Sequence, residues 1–500
     1  MYNPYANCAM LHGIYIRPTN MENNNDAIVA AVKNVQTGEK KLHIVKHPLF
    51  EFWRTKKQFA HQDVRLECEK ESLVDRFVCR YSDLAIGMCK AAGWDYIPPN
   101  PREIRKDPHF YGVDVGPLIR MKIEYYHSVD GALPKLDIGM LDIETSVIPE
   151  FQGQQILCAS YTDWPTRTTY EFILDPWCHC TDEQLFKREA EESKIFAERL
   201  NDKALKVWNE KPHTFQFVHC ATERELIIKL IRTTINCKPD LCGVWNMSFD
   251  IPHIEQRARF NQIPLEQLFC HKDVPEELRQ FKWKEDTKPV DHFTDKWHQV
   301  IAPGYTRWFD PMCLYSRLRK VQGRENFYTL EYIGQKIVGS GKVKFGSYTT
   351  HAEMQYNDPI GYCVYNCYDT ILPCVMDAVT QDTTSLMVLV GVSELSEFSK
   401  QTVMLKNAWF DYCRGKQMVA GSIMAPYDMS QPWDKYLFNV GGAVLSPNML
   451  DEKGTRHMKE MNIETSIMML VNDIDASLIK HWRLSMGNHG LKTSLTAGTL

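Results

Sequence analysis

Two carboxylates, Asp142 and Glu144, follow the apolar stretch 136–141. In an extended strand, residues i and i+2 point to the same face, so both side chains project from one side of the strand end. Two like charges held that close repel and raise each other's pKa. A divalent metal ion compensates such a pair, although two solvated charges at a strand end have the same spacing. A metal site therefore needs further ligands from elsewhere in the chain.

Two later segments each add a carboxylate. Asp250 ends the sequence Trp-Asn-Met-Ser-Phe-Asp, which begins at residue 245 and lies at a predicted strand–helix junction. Tyr365 and Asp369 are four residues apart in the predicted apolar helix 361–378, so they lie on one helix face. Each carboxylate has an alternative interpretation. Asp250 could be the N-cap of the following helix, and Asp369 could be solvated beside a packed Tyr365.

Four carboxylates in this order, Asp142, Glu144, Asp250 and Asp369, are much less expected by chance than any one of them. Such a set can hold two divalent cations roughly 3.5–4 Å apart. This geometry suits phosphodiester hydrolysis, because one metal lowers the pKa of the attacking water and the other stabilises the leaving 3′ oxygen. A phenol near the water, here that of Tyr365, could orient it.

The elements around these residues predict an α/β domain. Strands at 136–144, 155–161 and 168–173 are joined by short loops and predict an antiparallel meander. Further strands then alternate with helices, which predicts a mixed sheet flanked by helices, with sites outside the strand ends. Capping boxes are expected at Thr181 and Thr222, and an irregular, charged excursion at 261–304.

The three motif segments resemble the three motifs of the 3′→5′ proofreading exonuclease of family B DNA polymerases, of the type with tyrosine in the third motif. The resemblance covers residues 136–380 and implies a ribonuclease-H-like fold that uses two Mg²⁺ or Mn²⁺ ions. It implies that the metal ligands are Asp142, Glu144, Asp250 and Asp369 and that Tyr365 orients the water. Within that set, Asp142 would be shared by both metals, and Glu144 would hold only the ion that activates water.

The same resemblance implies DNA contacts. Thr145, Asn246 and Phe249 match positions that hold a single-stranded 3′ end in the family. Phe249 could stack on a base, although a core aromatic fits the sequence equally well. Gly441 and Gly442 resemble the glycine turn between the exonuclease and polymerase domains, where family members contact template.

The apolar segment that ends at Asp473 resembles the start of the first polymerase motif, whose aspartate binds the metal of nucleotide transfer. The sequence after Asp473 departs from that motif, and the second polymerase carboxylate is not found. Because nucleotide transfer needs both carboxylates, this chain alone is not expected to polymerise. Either a second polypeptide that carries the rest of the polymerase or a truncated reading of a longer chain would explain why the polymerase motifs are incomplete. The order of the motifs along the chain most resembles that of the replicative polymerases of large tailed phages.

Composition places the chain among ordinary globular proteins. It has 500 residues, 44% of them hydrophobic and 24% charged, and a formal net charge of −5, which gives no global nucleic-acid signature and excludes none. The 16 cysteines are scattered and predict reduced, buried thiols in a cytoplasmic compartment, that of the host if the protein is viral. We expect neither a signal peptide nor a membrane span.

The predicted organisation has four parts: a mixed α+β N-terminal domain at 1–135, the exonuclease domain at 136–379, a helical return at 380–435 and an incomplete polymerase palm at 436–500. Within the first part, 72–92 is predicted as a helix. The expected partners are a single-stranded 3′ end, primer–template DNA, the second polypeptide and a sliding clamp.

Two rival functions remain open, a non-catalytic scaffold module of a replication complex and a stand-alone DNA-processing exonuclease. Two weaker motifs are set aside. The segment 339–342, Gly-Ser-Gly-Lys, lacks the rest of a phosphate loop, so Lys342 is expected in a solvated loop or along a DNA path. Cys178 and Cys180 are too close for a zinc knuckle, and no second ligand pair stands nearby in sequence.

Overall fold

The computed structural model describes residues 5–17, 26–59, 66–98, 100, 103–151, 154–343, 348–422 and 424–425. The chain divides into two compact units. One comprises residues 1–39, 43–134 and those from 387 onward, and the other comprises 40–42 and 135–386. Within the described residues, every helix is too short or too polar to cross a membrane.

The N-terminal part of the chain is mixed α and β, as predicted. Its strands are β1 (Cys8–Ile16), β2 (Ala27–Asn34), β3 (Lys40–Lys46), β4 (Leu49–Thr55), β5 (Cys68–Lys70), β6 (Val74–Arg80) and β7 (Phe110–Tyr111). Its helices are α1 (Leu84–Ala92) and α2 (Pro117–Ser128). Strands β1 and β2 pair antiparallel, and β4 lies between β6 and β7.

The helix predicted at 72–92 is wrong in its first half. Residues 74–80 form β6, which pairs antiparallel with β4 along its whole length. Phe77 and Cys79 are partly buried, whereas the alternating Arg76, Val78 and Arg80 are exposed. This period of two is the pattern of a half-buried strand, and only Leu84–Ala92 is helical.

The second unit carries the elements that hold the candidate site. Its strands are β8 (Ile138–Thr145), β9 (Ile156–Asp163), β10 (Thr168–Leu174), β11 (Thr214–Cys220), β12 (Leu241–Val244), β13 (Lys282–Lys284), β14 (Gln299–Ile301) and β15 (Arg307–Phe309). Its helices are α3 (Asp182–Arg199), α4 (Asp202–Asn209), α5 (Glu223–Cys237), α6 (Met247–Phe260), α7 (Leu265–Phe269), α8 (Pro311–Leu318), α9 (Leu330–Val338), α10 (His351–Asn357) and α11 (Pro359–Thr380).

Six strands of the described chain form one mixed sheet in the order β11-β10-β9-β8-β12-β15. Strands β8, β9 and β10 are consecutive and antiparallel, which confirms the predicted meander. Strands β11, β12 and β15 join in parallel, as expected where strands alternate with helices. The α/β class and the mixed sheet flanked by helices are therefore confirmed.

Helices cover both faces of this sheet, which is why β9 is buried along its whole length. The hydroxyls of Ser160 and Thr162 both hydrogen-bond Thr370 of α11, at 2.9 and 2.8 Å. Tyr161, which points to the opposite face, meets Cys237 of α5. Helix α11 therefore lies over the face that carries the even-numbered residues of β9.

Three local predictions in this unit need correction. Helix α6 begins at Met247, so Asp250 lies inside its first turn and is not its N-cap. The excursion 261–304 contains α7 and the antiparallel pair β13–β14, because its apolar residues pack locally. At Thr222, only the hydroxyl arm of the capping box forms; the Glu225 carboxylate accepts instead from the Ala221 N–H. The capping box at Thr181 is complete.

The described chain ends with α12 (Asp382–Val390), α13 (Gln401–Gly415) and β16 (Met418–Ala420). Strand β16 pairs antiparallel with β5, so α13 and β16 belong to the same compact unit as the N-terminal strands. Gly441, Gly442 and Asp473 lie outside the described residues.

Candidate functional site

The end of the central strand β8 presents Asp142 and Glu144 on the sheet face that α11 covers. Asp142 pairs in register with Ser160 of β9, whose hydroxyl bonds α11. Residues directly opposite each other on antiparallel strands share a face, so both carboxylates point towards α11. Each is partly buried, whereas Ile143 between them is buried on the other side.

Helix α11 supplies a polar stripe against this strand end. The Tyr362 hydroxyl donates to Glu144 Oε2 at 2.5 Å, and Asn366 Nδ2 donates to Asp142 Oδ2 at 2.8 Å. Tyr362, Asn366 and Thr370 are spaced by four residues and so follow one helix face. The helix is fixed at its start by the Asp358 side chain, which accepts from the N–H of Gly361 at 2.9 Å.

Three carboxylates from these two elements converge. Oxygen atoms of Asp142, Glu144 and Asp369 all lie within 4.8 Å of one another. Asp369 is 2% exposed, and its Oδ1 has no hydrogen-bond partner among the described residues. Carboxylate oxygens are the ligands that Mg²⁺ and Mn²⁺ prefer, so the donor set fits a hard divalent cation.

Asp250 approaches the same centre from α6. It is 4% exposed and lines the same cavity as Asp142 and Glu144. The start of α6 is held by Asp310, a buried residue that sequence reasoning did not identify. Asp310 accepts from the backbone N–H of Met247 at 3.0 Å and also from that of Met312 in α8 at 2.9 Å. One carboxylate thus caps two helices and positions Asp250.

Lys342 brings a positive charge into the carboxylate group, contrary to the expectation of a solvated loop. Its Nζ donates to Asp369 and, at 2.7 Å, to the Tyr365 hydroxyl. Burial alone would lower the pKa of this ammonium, but the charges of Asp369, Asp142 and Glu144 outweigh it and raise the pKa. No sequence pattern indicates this contact, because Lys342 is distant in sequence from Asp369, Asp142 and Glu144.

One ammonium does not balance the negative charge of this centre. Burial, followed by the charges of Asp250, Asp369 and Glu144, raises the pKa of Asp142 well above its ordinary value. Burial raises the pKa of Glu144 to about 7. Burial and the nearby Glu144 charge likewise raise the pKa of Asp250. Such mutual destabilisation of charged groups is the condition that a divalent cation relieves.

The carboxylates open onto a cavity of about 600 Å³ whose rim is aromatic. Phe249, Phe293 and Phe327 line it and are 51%, 53% and 62% exposed. Phe249 is therefore not a core aromatic. Exposed phenylalanines beside an acidic centre offer stacking surfaces for unpaired bases. Phe293 begins a short 3₁₀ helix and Phe327 lies outside helices and strands; neither segment has a periodic apolar pattern.

The remaining predicted contacts differ in position. Asn246 is exposed and has a left-handed backbone (φ +64°) directly before α6, and it also lines the cavity. Thr145 lies at the end of β8, where its carbonyl accepts from Gln355 Nε2 at 2.8 Å. Tyr365 is buried, and its hydroxyl contacts Lys342.

No family model matches this chain, and no curated protein matches it significantly.

Besides Lys342, Phe293 and Phe327, the residues of the site that were not predicted from the sequence include Tyr362, Asn366 and Asp310. Tyr362 and Asn366 could have been found, because with Asp369 they form a polar stripe with helical spacing in an otherwise apolar segment. Asp310 directly precedes a proline, the arrangement of an N-cap before a first-turn proline. That spacing predicts the cap of α8 but not its second contact with α6.

Proposed function

We propose that the second unit is a 3′→5′ exonuclease of ribonuclease-H-like fold that removes nucleotides from DNA ends, as the proofreading portion of a family B DNA polymerase. The observation that carries the proposal is the convergence of Asp142, Glu144 and Asp369 within 4.8 Å, where Asp142 and Glu144 line a cavity that exposed phenylalanines also line. Polymerisation would require the parts of the palm that the sequence does not contain.

The chain's own residues divide the work. Asp142, Glu144, Asp250 and Asp369 would hold two Mg²⁺ or Mn²⁺ ions, which supply Lewis-acid stabilisation of the scissile phosphate and activation of water. Tyr362 and Asn366 fix the orientation of Glu144 and Asp142 by direct hydrogen bonds. Hydrogen bonds made to a metal ligand by residues that do not themselves bind the metal determine how well the ligand is oriented.

Lys342 and Tyr365 lie on the Asp369 side of the centre. The ammonium of Lys342 offers a charge that can stabilise negative charge developing on a phosphate oxygen. The Tyr365 hydroxyl is held 2.7 Å from that ammonium, within reach of a position where it could orient a water molecule. Burial and the nearby Asp369 charge raise the pKa of the Tyr365 phenol, so it is a neutral donor at physiological pH.

The aromatic rim favours an unpaired DNA end as the substrate. A single strand presents its bases for stacking on Phe249, Phe293 and Phe327, at about 1–3 kcal/mol per base. A paired duplex end does not present its bases in this way. An enzyme of this kind therefore acts where a mispair has frayed the 3′ terminus.

The proposal is tested with a purified full-length chain and linear single-stranded DNA labelled at the 5′ end or the 3′ end. With Mn²⁺, the 3′ label is released first as a mononucleotide, the 5′-labelled strand shortens progressively, and circular single-stranded DNA stays intact. Asp142→Asn abolishes both the release of the 3′ label and the shortening of the 5′-labelled strand. Asp202→Asn, on the exposed start of α4, leaves both unchanged. A folded wild-type chain that leaves linear DNA intact with Mn²⁺ would refute the proposal.

A further inference from the structure

A second group of metal-ligating atoms lies beside the carboxylate centre, under the same helix. Sγ of Cys158, Sγ of Cys363 and a carboxylate oxygen of Glu171 all lie within 4.8 Å of one another. All three residues are completely buried. They come from β9, α11 and β10, so their juxtaposition is a product of the fold and not of sequence spacing.

Further thiols extend this group towards the surface. Cys178 hydrogen-bonds Cys363 on one side and Cys180 on the other, and Glu171 acts electrostatically on Cys178. Cys178 is buried, but Cys180 is partly exposed. The sequence motif at 178–180 lacked a second ligand pair, and the structure supplies one in Cys158 and Cys363.

The Glu171 carboxylate is the feature that core packing does not explain. Its Oε2 accepts from the Cys367 thiol at 3.4 Å, a weak donor, while Oε1 has no hydrogen-bond partner among the described residues. Within the same residues, Glu171 forms no ion pair. The Cys158 thiol and the Ser160 hydroxyl also contact Glu171. A buried carboxylate whose donors are thiols and one hydroxyl, with no cation, is costly, whereas apolar packing alone would be satisfied by a leucine or methionine.

Thiolate sulfur together with one carboxylate is a donor set for Zn²⁺ and not for Mg²⁺ or Ca²⁺. In a tetrahedral site with Zn–S distances of about 2.3 Å, neighbouring sulfurs are about 3.8 Å apart. The ligand atoms of Cys158, Cys363 and Glu171, which lie within 4.8 Å of one another, are thus within about 1 Å of that geometry, and Cys178 adds a third sulfur in contact with Cys363. We propose that Cys158, Cys178, Cys363 and Glu171 form a buried structural site for Zn²⁺.

The bound ion would displace the protons of the three thiols, and that of Glu171 where the carboxyl is protonated, and these protons pass to solvent. Burial raises the pKa of Cys158, Cys363 and Glu171 well above their ordinary values. Binding is therefore coupled to proton release and strengthens with rising pH.

The position of the site gives it a structural purpose. Cys158 is the register partner of Glu144, and Cys363 follows Tyr362, which hydrogen-bonds Glu144. A metal held by β9, β10, α11 and the segment after β10 ties these elements together next to the catalytic carboxylates. The site is chemically separate from that centre because its donors are mainly sulfur.

Cobalt substitution of the full chain tests this proposal, since thiolate ligands give Co²⁺ an intense near-ultraviolet charge-transfer band and carboxylates do not. The protein is purified under reducing conditions, its zinc content is measured, and the chelator-stripped chain is titrated with Co²⁺. We expect about one zinc per chain and a saturable charge-transfer band that is reversed by Zn²⁺. Asp142→Asn, which removes a carboxylate of the other centre, leaves the band unchanged.

Cys363→Ser and Glu171→Gln are the variants at the site, and Cys374→Ser is the matched control. Cys374 is equally buried on the same helix but is not part of the group. The band is lost or strongly weakened in Cys363→Ser and shifted in Glu171→Gln, which keeps the side-chain volume, and it persists in Cys374→Ser. A folded wild-type chain that contains no zinc and develops no charge-transfer band overturns the proposal, as does a band unaltered in both site variants.

Discussion

The hydroxyl of Tyr362 donates a hydrogen bond of 2.5 Å to Oε2 of Glu144, linking the long helix α11 to the end of the central strand β8. The same hydroxyl accepts from Gln355 Nε2 at 3.2 Å. The hydrogen bond from Tyr362 favours the charged form of Glu144. It therefore opposes the rise in the pKa of Glu144 that burial causes. Tyr362 therefore keeps Glu144 available as a metal ligand.

Tyr362→Phe should weaken Mn²⁺ binding about tenfold, the usual effect of losing an outer contact to a ligand. The pKa of Glu144, already about 7, rises further, so the loss is greater at pH 6.5 than at pH 8.5. Mn²⁺ titration followed by electron paramagnetic resonance measures this. Tyr368→Phe is the control. Tyr368 lies on the same helix as Tyr362, but its hydroxyl donates to Glu189, at 3.3 Å, and not to Glu144. Equal losses in both variants would contradict the assignment.

Asp142→Asn should make the metal-free protein more stable at pH 8 while abolishing nuclease activity. A carboxyl whose folded pKa is raised costs stability as the pH rises from its ordinary value through its folded value. For Asp142 this interval begins at about pH 4 and extends to its folded pKa, which burial and the charges of Asp250, Asp369 and Glu144 raise well above the ordinary value. Removing one charge should raise the free energy of unfolding by about 1–2 kcal/mol at pH 8.

At pH 4 most of this gain should vanish, because the Asp142 carboxyl is protonated in the folded state and about half protonated in the unfolded state. Chemical denaturation at the two pH values gives the comparison. Saturating Mn²⁺ should reverse the order at pH 8, since only the wild type binds the ion fully. A variant less stable than the wild type at pH 8 without metal would show that Asp142 is a structural residue.

Lys342→Met should destabilise the metal-free protein by about 1–3 kcal/mol at pH 8, because a buried carboxylate loses its cation. The effect should shrink towards pH 4, where Asp369 no longer needs a partner. Lys336→Met is the matched control, since Lys336 pairs with Glu325 at 2.6 Å but is exposed and contributes little. Thermal unfolding at both pH values measures the difference, and a pH-independent loss would contradict the charge argument.

Phe293→Ala and Phe327→Ala should each weaken binding of single-stranded DNA by about 1–3 kcal/mol with little effect on stability, because both side chains are more than half exposed. Fluorescence anisotropy in the Asp142→Asn background avoids degradation during the measurement. Phe260→Ala is the control, as this residue is 72% exposed and outside the set that lines the cavity. Unchanged affinity for single-stranded DNA in both variants would show that Phe293 and Phe327 do not stack on DNA bases.

The sequence predicted the parts of the molecule that local chemistry determines. Strands β8–β10 and helix α11 follow from their apolar runs, and the α11 face that carries Asp369 follows from helical spacing. The interpretation of Asp250 as an N-cap places the start of α6 too late, because Asp310, more than sixty residues further on, provides the cap. That cap is a tertiary contact which no local pattern encodes.

The carboxylates of the candidate site could be predicted from the sequence. The contact with Lys342, the phenylalanines that line the cavity and the neighbouring group of thiols could not. Lys342 contacts Asp369 only in the folded chain, and no local sequence pattern relates the two residues. Phe293 and Phe327 lie in segments without periodicity, and their convergence on one cavity depends on the whole fold. Cys158 and Cys363 are separated by more than two hundred residues, so their pairing required the structure.

The proposed proofreading activity is measured by giving the full chain a primer–template with a mismatched 3′ terminus and Mg²⁺, with and without nucleotides, and resolving primer lengths over time. We expect the primer to shorten from its mismatched 3′ end with release of mononucleotides, added nucleotides to produce no extension, and Asp142→Asn to leave the primer intact. A primer that stays intact with folded wild-type protein, or shortens equally with Asp142→Asn, would refute the proposed activity.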